Sequence, residues 1–217
     1  MILVDLIWRR GIMSSGCDME TLENKMEQSL LKFESVAPEV YELLHKLKRT
    51  GWVNRGVENP ESVKEHTEAL ILLAQELSEF LSDEEKDGLF EMLEVHDWPE
   101  ALHGDEVILE TEPDERKILK NIKFEKERLA LEKICENLPN GDMIIDLWLR
   151  FETANDPASV FGRQLDKYQA VEKALEYEEQ QNIALFEEFL VYSINFINHP
   201  VLLERIERLK IKWGKNI

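Results

Sequence analysis

The chain has 217 residues, of which 43% are hydrophobic and 33% are charged, and its formal net charge is -19 at pH 7. This length and composition predict a folded protein with one sizeable core and exclude wholesale disorder. The acidic balance disfavours duplex DNA or RNA as a partner, because binding to the phosphate backbone needs a basic face. A small anionic substrate stays compatible with it, since a few local cations and a metal can outweigh the overall charge.

The cysteines and the apolar runs bear on the compartment of the protein. Cys17 and Cys135 lie far apart and form no CxxC pair, which predicts a reduced, cytoplasmic protein without disulfides. No apolar run approaches the roughly 20 residues of a membrane helix, so no membrane partner is expected. The arginines near the start follow the apolar residues, whereas in a signal peptide they would precede them. We interpret residues 1–20 as a poorly ordered leader and residues 21–217 as one helical domain.

The first part of this domain predicts helices separated by a loop. Residues 21–36 and 38–48 carry apolar positions at three- and four-residue spacing, which is typical of amphipathic helices. Residues 49–61 contain two glycines and a proline and are predicted to form an ordered loop. A Ser-x-x-Glu capping box then begins a helix over about 62–81.

A second capping box, at residues 82–85, predicts a helix that ends near His96. The step from Trp98 to Pro99 disfavours helical geometry at the tryptophan, so the chain should kink there and begin a new helix at the proline. Residues 107–114 are predicted to form a loop. Further helices are expected at 115–137, 142–153, 157–180 and 183–196, with a last one after Pro200.

These patterns predict an all-α, single-domain helical bundle. No segment rich in Pro, Gly or Ser divides the chain, and no alternating run of Val, Ile or Thr indicates a strand. The Glu/Lys-rich helix over 115–137 is interpreted as a solvated face or a dimer surface. Trp98 and Trp148 are expected in the core, and Glu94 at the surface.

Several polar residues interrupt apolar faces. His66 lies between Val63 and Leu70 on the apolar stripe of its helix, where a histidine is more often a core residue satisfied by a neighbour than a ligand. Asp166 shares a helix side with Ala170 and Ala174, and a carboxylate on such a side is costly unless it is paired or bound to a cation.

The pair His96-Asp97 ends an apolar helix and is therefore also expected near the core. Three helices would thus each bring a group capable of binding metal to the interior. Imidazole nitrogen combined with carboxylate oxygen suits Mn, Fe, Co, Ni or Zn.

This order of residues resembles the HD-domain superfamily of metal-dependent phosphohydrolases, and most closely its branch of HD-domain 5'-deoxynucleotidases. The similar stretches are "LKRTGWVNRGVENPESVKEH", "VHDWPEALHGD" and "QLDKYQAVEKALEYE", which together cover about residues 38–180. The resemblance implies an HD-type helical bundle. It also implies a divalent metal cofactor (Mn, Co, Mg, Zn or Ni), a small nucleotide as substrate and a homodimer.

The resemblance assigns roles to individual residues. The first metal would be held by His66, His96, Asp97 and Asp166. Glu100, Asp105 and the main-chain carbonyl of Glu106 would form a second metal site. Arg49 and Trp52 match the loop that contacts the nucleotide, with the tryptophan expected over a base or sugar.

The implied reaction is hydrolysis of a nucleoside 5'-monophosphate to nucleoside and phosphate. Glu100 would position or deprotonate a metal-activated water, or protonate the leaving oxygen. Arg49, together with Arg163, would neutralise charge on the phosphoryl oxygens, while Asp105 would complete the catalytic group. Arg163 stands where the family usually has a lysine, and His103 where it has a small or β-branched residue, so that His103 is either a rim residue or a further ligand.

Two alternatives stay open. The chain could be an HD phosphohydrolase acting on another nucleotide, such as a diester, a triphosphate or an alarmone. It could also be a regulatory protein that binds nucleotide or metal without turnover. Glu100 and Asp105 disfavour the second alternative, because metal binding alone does not need them.

Overall fold

The computed structural model describes residues 33–108 and 112–214, and these residues form helices joined by short turns. Their one strand-like feature is an isolated antiparallel bridge between Lys48 and Ser62. The leader predicted over 1–20, and most of the helix predicted over 21–36, lie outside the described residues. In chain order the helices are α1 (Pro38–Lys46), α2 (Thr50–Val53), α3 (Val63–Leu77), α4 (Asp83–Lys86), α5 (Leu89–Val95), α6 (Glu100–His103), α7 (Pro113–Cys135), α8 (Gly141–Thr153), α9 (Pro157–Gln181), α10 (Phe186–Ser193) and α11 (Pro200–Gly214).

The core is centred on α5, which packs against α3, α8 and α9. Leu70 and Leu73 of α3 share one core cluster with Leu89 and Leu93 of α5, and all four are fully buried. Trp98 and Trp148 are buried in the same cluster, as the sequence predicted. Burial of each such side chain stabilises the fold by about 1.5–3 kcal/mol. The all-α single-domain architecture is thus confirmed.

Both predicted capping boxes are present. The Ser62 hydroxyl accepts a hydrogen bond from the Glu65 amide, and the Ser62 amide donates to the Glu65 carboxylate at 2.7 Å. The corresponding pair at Ser82 and Glu85 begins α4. The first box fixes where α3 starts, and it therefore fixes His66 on the inward face of the first turn of that helix.

Other boundaries differ from the prediction. Gly88 has a φ of 70° and divides the helix predicted from Ser82 to His96 into α4 and α5, since this left-handed conformation ends a helix. The loop predicted over 49–61 contains the short helix α2, and α7 already begins inside the segment predicted as a loop over 107–114. The helix predicted over 183–196 ends as a 3-10 turn after Ser193.

Helix α7 is more than a solvated face. Leu131 and Cys135 are buried, and Phe124 stacks on Trp148 with ring centroids 5.3 Å apart. Helix α7 packs against both α6 and α8, which places its middle beside the segment that follows His96. Within residues 33–108 and 112–214, no helix combines the length and the apolar character that crossing a lipid bilayer requires.

Candidate metal centre and active site

Four of the polar residues singled out in the sequence meet in the core. His66 comes from α3, Asp166 from α9, and His96 and Asp97 directly follow α5. His66 Nε2 lies 3.3 Å from Asp166 Oδ1 and 3.8 Å from Asp97 Oδ2, and His96 Nε2 lies 3.1 Å from Asp97 Oδ2. One ligand atom each from His66, His96 and Asp166 lies within 4.8 Å of the others.

The chemistry of this group fits a divalent cation. The Nδ1 atom of His66 lies 3.0 Å from the Gln169 side-chain oxygen, and that of His96 lies 2.7 Å from the Leu93 carbonyl oxygen. Both partners are acceptors, so each Nδ1 carries the proton and each Nε2 keeps its lone pair. Neither buried Nε2 makes a hydrogen bond. Two lone pairs therefore face two carboxylates, an arrangement that a metal ion stabilises.

Both aspartates carry charge. Burial raises the pKa of Asp97, but His96 and Arg49 outweigh it and hold that pKa well below its usual range. Burial also raises the pKa of Asp166, but Lys167 and His66 lower it by more. The pKa of Asp166 is therefore well below its usual range too. For His96, burial lowers the pKa while the nearby Asp97 raises it above the ordinary value. A metal held by His96 would therefore compete with a proton for its imidazole, and its affinity should fall as the pH falls.

Arg49 brings one positive charge to the site, and Lys167, which donates to Asp166 Oδ2 at 2.8 Å, brings another. Its Nη1 donates to Asp97 Oδ2 at 3.0 Å. Burial lowers the pKa of the guanidinium, but Asp97 and Asp105 raise it further than burial lowers it, so the group stays charged. The guanidinium fork is suited to bind the oxygens of a phosphoryl group.

Glu100 and Asp105 add two further carboxyl groups near Asp97. Glu100, at the start of α6, is 4% exposed, and its Oε2 is buried without a hydrogen bond. Burial, followed by the charges of Asp97 and Asp105, raises the pKa of Glu100 well above its ordinary value. A buried carboxyl with a raised pKa beside two possible metal ligands is a candidate for general acid–base catalysis. Asp105 Oδ2 accepts from the Thr50 amide at 2.6 Å, which ties it to the segment that carries Arg49.

Lys123 of α7 is a residue of this region that sequence reasoning missed. Its ammonium donates to the Glu106 carbonyl oxygen at 2.8 Å, the atom predicted as a ligand of the second metal. Burial lowers the pKa of Lys123, but Glu127 and Glu100 raise it above the ordinary value. No signal in the sequence distinguished this lysine from the other charged residues of α7, because only the packing of α7 beside α6 brings it here.

Trp52 and Glu94 are both buried, and for Glu94 this corrects the predicted surface position. Trp52 is 3% exposed, stacks on Phe189 with centroids 4.4 Å apart, and donates through Nε1 to Glu61. The ring is buried in a core cluster, which disfavours the predicted place over a base or sugar. Glu94 is 3% exposed instead of lying at the surface, and it accepts a hydrogen bond from the Tyr41 hydroxyl at 2.6 Å.

Arg163 and His103 flank the site. Arg163 Nη1 donates to the Glu152 carbonyl at 3.2 Å, and its guanidinium lies over the Phe151 ring. His103 ends α6 and lies outside the group of side chains able to hold a metal among the described residues. Burial and Lys123 lower the pKa of His103, so its imidazole is neutral. Its position outside that group favours the rim interpretation of His103 over a role as a further ligand.

Comparisons with known proteins show the family to which this chain belongs. A family model described as HD domain matches residues 41–200. The 5'-deoxynucleotidase HDDC2 of Dictyostelium discoideum is 32% identical over 170 residues, which are 73% of this chain and 86% of that protein. Its counterpart from Bos taurus is 27% identical and covers 94% of this chain and 96% of its own length.

Solved structures share the fold. A conserved hypothetical protein from Pyrococcus furiosus superposes with a TM-score of 0.60 at 24% identity, over 79% of this chain and 95% of that chain. A protein from Pyrococcus horikoshii gives a TM-score of 0.59, also at 24% identity, over 77% of this chain and 92% of its own.

Proposed function

Because the chain belongs to the HD domain family, we propose that it is a metal-dependent 5'-nucleotidase that releases phosphate from (deoxy)nucleoside 5'-monophosphates. The similarity to the 5'-deoxynucleotidases identifies it as a phosphohydrolase of nucleotides. The observation that carries the finer proposal is the buried group of two imidazole lone pairs and two carboxylates, with the raised-pKa carboxyl of Glu100 beside it.

The first metal would be held by His66, His96, Asp97 and Asp166. When bound, a divalent metal supplies Lewis acidity: it lowers the pKa of water and polarises a phosphoryl oxygen. The second site predicted from Glu100, Asp105 and the Glu106 carbonyl stays a prediction. A cation there would have to displace the ammonium of Lys123 from the Glu106 carbonyl.

The protein's own residues supply orientation and proton transfer. Arg49, held 3.0 Å from Asp97, binds the phosphoryl oxygens and neutralises the charge that builds on them. Glu100 exchanges a proton with the attacking water or the leaving 5'-oxygen, because its raised pKa lets it both hold and release that proton. Asp105 keeps the segment of Arg49 in place through the Thr50 amide. Arg163 is retained as a further contact to the substrate, whereas the buried Trp52 is not.

The test is a hydrolysis assay on protein stripped with a chelator and resupplied with Mn, Co, Mg, Zn or Ni. Phosphate release from nucleoside monophosphates is expected, and Asp97→Ala should abolish it. Glu100→Gln should keep the metal but lower kcat by about 10²–10⁴-fold, the usual contribution of general acid–base catalysis. Glu115→Gln, a matched change at an exposed position of α7, should keep full activity.

Three outcomes would contradict the proposal. Release only from diesters, triphosphates or alarmones would identify another HD activity. Retention of metal with no turnover of any nucleotide would identify a regulatory binding protein. Unchanged activity in Glu100→Gln would remove this residue from the mechanism. The homodimer and the cytoplasmic location stay predictions from the sequence.

A further inference from the structure

Gln169 connects the metal centre to a second buried network. It lies on α9, three residues after Asp166, and is 2% exposed. Its Oε1 lies 3.0 Å from His66 Nδ1, and its Nε2 donates to Glu61 Oε2 at 3.3 Å. A buried amide with both ends bonded is held in one orientation.

Glu61 is the anchor of this network, although it lies in the connection between α2 and α3 and not at the metal centre. It is 7% exposed, and its Oε1 accepts from Trp52 Nε1 at 3.0 Å. Its own amide donates to the Tyr177 hydroxyl at 2.8 Å, and its carbonyl oxygen accepts from the Arg49 amide at 3.1 Å. The same residue therefore holds both the backbone of Arg49 and the side chain of Gln169.

The donors and acceptors along this network allow only one orientation of the Gln169 amide. An indole N–H can only donate and a carboxylate can only accept, so the NH₂ group of Gln169 must face Glu61. Its oxygen then faces His66, which places the imidazole proton on Nδ1 and the lone pair on Nε2, toward Asp97 and Asp166. We propose that Gln169 is a positioning residue that selects the metal-binding tautomer of His66, and that Glu61, bonded to Trp52, sets the direction of Gln169. The inference rests on the metal site of the proposed function.

The second histidine of the centre provides an internal contrast. His96 Nδ1 is bonded to a main-chain carbonyl, that of Leu93, and no side-chain substitution can turn this acceptor into a donor. His66 alone depends on a side chain for its tautomer. The hydrogen bonds from Trp52 through Glu61 and Gln169 to His66 thus form a relay that begins at the buried indole N–H.

The decisive variant is Glu61→Gln, which keeps the shape of the side chain. Trp52 still requires an acceptor, so the introduced amide should direct its NH₂ group at Gln169. Gln169 should then rotate and present its own NH₂ group to His66, which moves the imidazole proton to Nε2. Zn²⁺ affinity, measured by competition with a chelator, should fall about 10–100-fold, the usual effect of losing such a partner. A long-range ¹H–¹⁵N spectrum of the metal-free protein should show His66 change from the Nδ1–H to the Nε2–H tautomer.

The double variant Glu61→Gln/Gln169→Glu tests the direction of the relay. The introduced amide would donate to the introduced carboxylate, which would accept from His66 Nδ1, so both the tautomer and most of the Zn²⁺ affinity should return. Gln164→Leu is the matched control on α9. Gln164 is 6% exposed and accepts from the Asn198 and His199 amides, and its loss should lower stability but leave Zn²⁺ affinity and the His66 tautomer unchanged.

The proposal is overturned if Glu61→Gln retains wild-type Zn²⁺ affinity and tautomer, or if the double variant binds no better than the single one. Thermal unfolding in chelator identifies any variant that fails to fold, and the isosteric Glu61→Gln guards against that result. Neither readout needs a substrate. A protein that shows the predicted His66 tautomer and Zn²⁺ affinity but hydrolyses no nucleotide would therefore contradict the proposed nucleotidase function and leave the role of Gln169 intact. A wild-type protein that does not bind Zn²⁺ would contradict the metal site. The spectra of the metal-free protein would still test whether Glu61 and Gln169 select the His66 tautomer.

Discussion

Glu127 of α7 is a partly buried residue whose negative charge destabilises the folded protein. Burial raises the pKa of its carboxyl from 4.5 to about 7, although Lys123, 3.4 Å away, opposes that rise. Between these two values the unfolded chain releases a proton that the folded protein keeps. The protonated Glu127 therefore contributes fully to the stability of the fold below pH 4.5. This contribution is lost as the pH rises to about 7, and above that pH the stability no longer changes with the ionisation of Glu127.

Glu127→Gln should accordingly stabilise the protein more at pH 8 than at pH 5, by on the order of 1–3 kcal/mol. Urea unfolding at several pH values, in the presence of a chelator, measures this difference. Glu136→Gln, at an exposed position shortly after the end of the same helix, should show no such pH dependence. Equal stability of Glu127→Gln and wild type at every pH would contradict the assignment.

The hydroxyl of Tyr41 supports a second prediction. Tyr41 is 6% exposed and donates to the buried Glu94 at 2.6 Å. Tyr41→Phe removes one donor from a buried carboxylate and should lower the free energy of unfolding by about 1–3 kcal/mol. Tyr192→Phe, at a ring that is 53% exposed, should change it by less than about 0.5 kcal/mol. Denaturant unfolding of the two variants compares them directly, and equal effects would show that the Tyr41 hydroxyl is unimportant.

These residues show what the sequence can reveal about a site. His66 and Asp166 were predictable, because a polar group on an apolar helix face needs a special partner. Glu94 occupies a similar position, but glutamate is so common on solvated faces that its burial was missed. Lys123 and Gln169 were not predictable, since their roles arise from contacts with segments far away in the chain.

At the level of helices, Gly88 decides how α4 joins α5. Its φ of 70° is costly for any residue with a side chain, and a Cβ built there would lie 3.0 Å from Arg150 Nη1. Gly88→Ala should therefore lower the free energy of unfolding by about 1–2 kcal/mol. Gly214→Ala, where a Cβ meets nothing within 4 Å, should change it by less than about 0.5 kcal/mol. Thermal unfolding tests both, and a neutral Gly88→Ala would mean that the turn relaxes into another conformation.

Helix starts were easier to predict than helix interruptions. Ser62 and Ser82 each begin a helix through a capping box. Its residues lie within one turn of each other and can be recognised in the sequence alone. A glycine inside an apolar repeat can stay helical or break the helix. The break at Gly88 is accompanied by a contact between Asp87 and Arg150, which lie 63 residues apart in the chain. For the same reason α2 escaped prediction: its Trp52 is held by tertiary contacts to Glu61 and Phe189.

For the whole molecule, the proposed metal centre lies where several helices of the bundle meet. Its predicted ligands come from α3, from the end of α5 and from α9, and these helices also pack against one another in the core. The acidic chain, with a formal net charge of -19, attracts cations in general. Only at this junction, however, do the described residues bring three groups able to bind a metal, two imidazoles and a carboxylate, within 4.8 Å of one another. Metal binding should therefore be coupled to the stability of the entire fold.

The size of this coupling can be predicted. A ligand that binds only the folded state at 100 times its Kd adds about 2.7 kcal/mol of stability. For a chain of this length that corresponds to a rise in Tm of roughly 5–10 °C. Thermal scans of chelated protein against increasing Zn²⁺ or Mn²⁺ should show this rise in the wild type but not in Asp166→Ala, which lacks one carboxylate of the centre. Gln164→Leu should begin from a lower Tm and still show the full rise, because Gln164 supports the fold without contacting the metal ligands. A metal-dependent rise that persists in Asp166→Ala would place the ion elsewhere, since a cation that does not join α9 to α3 cannot depend on this side chain.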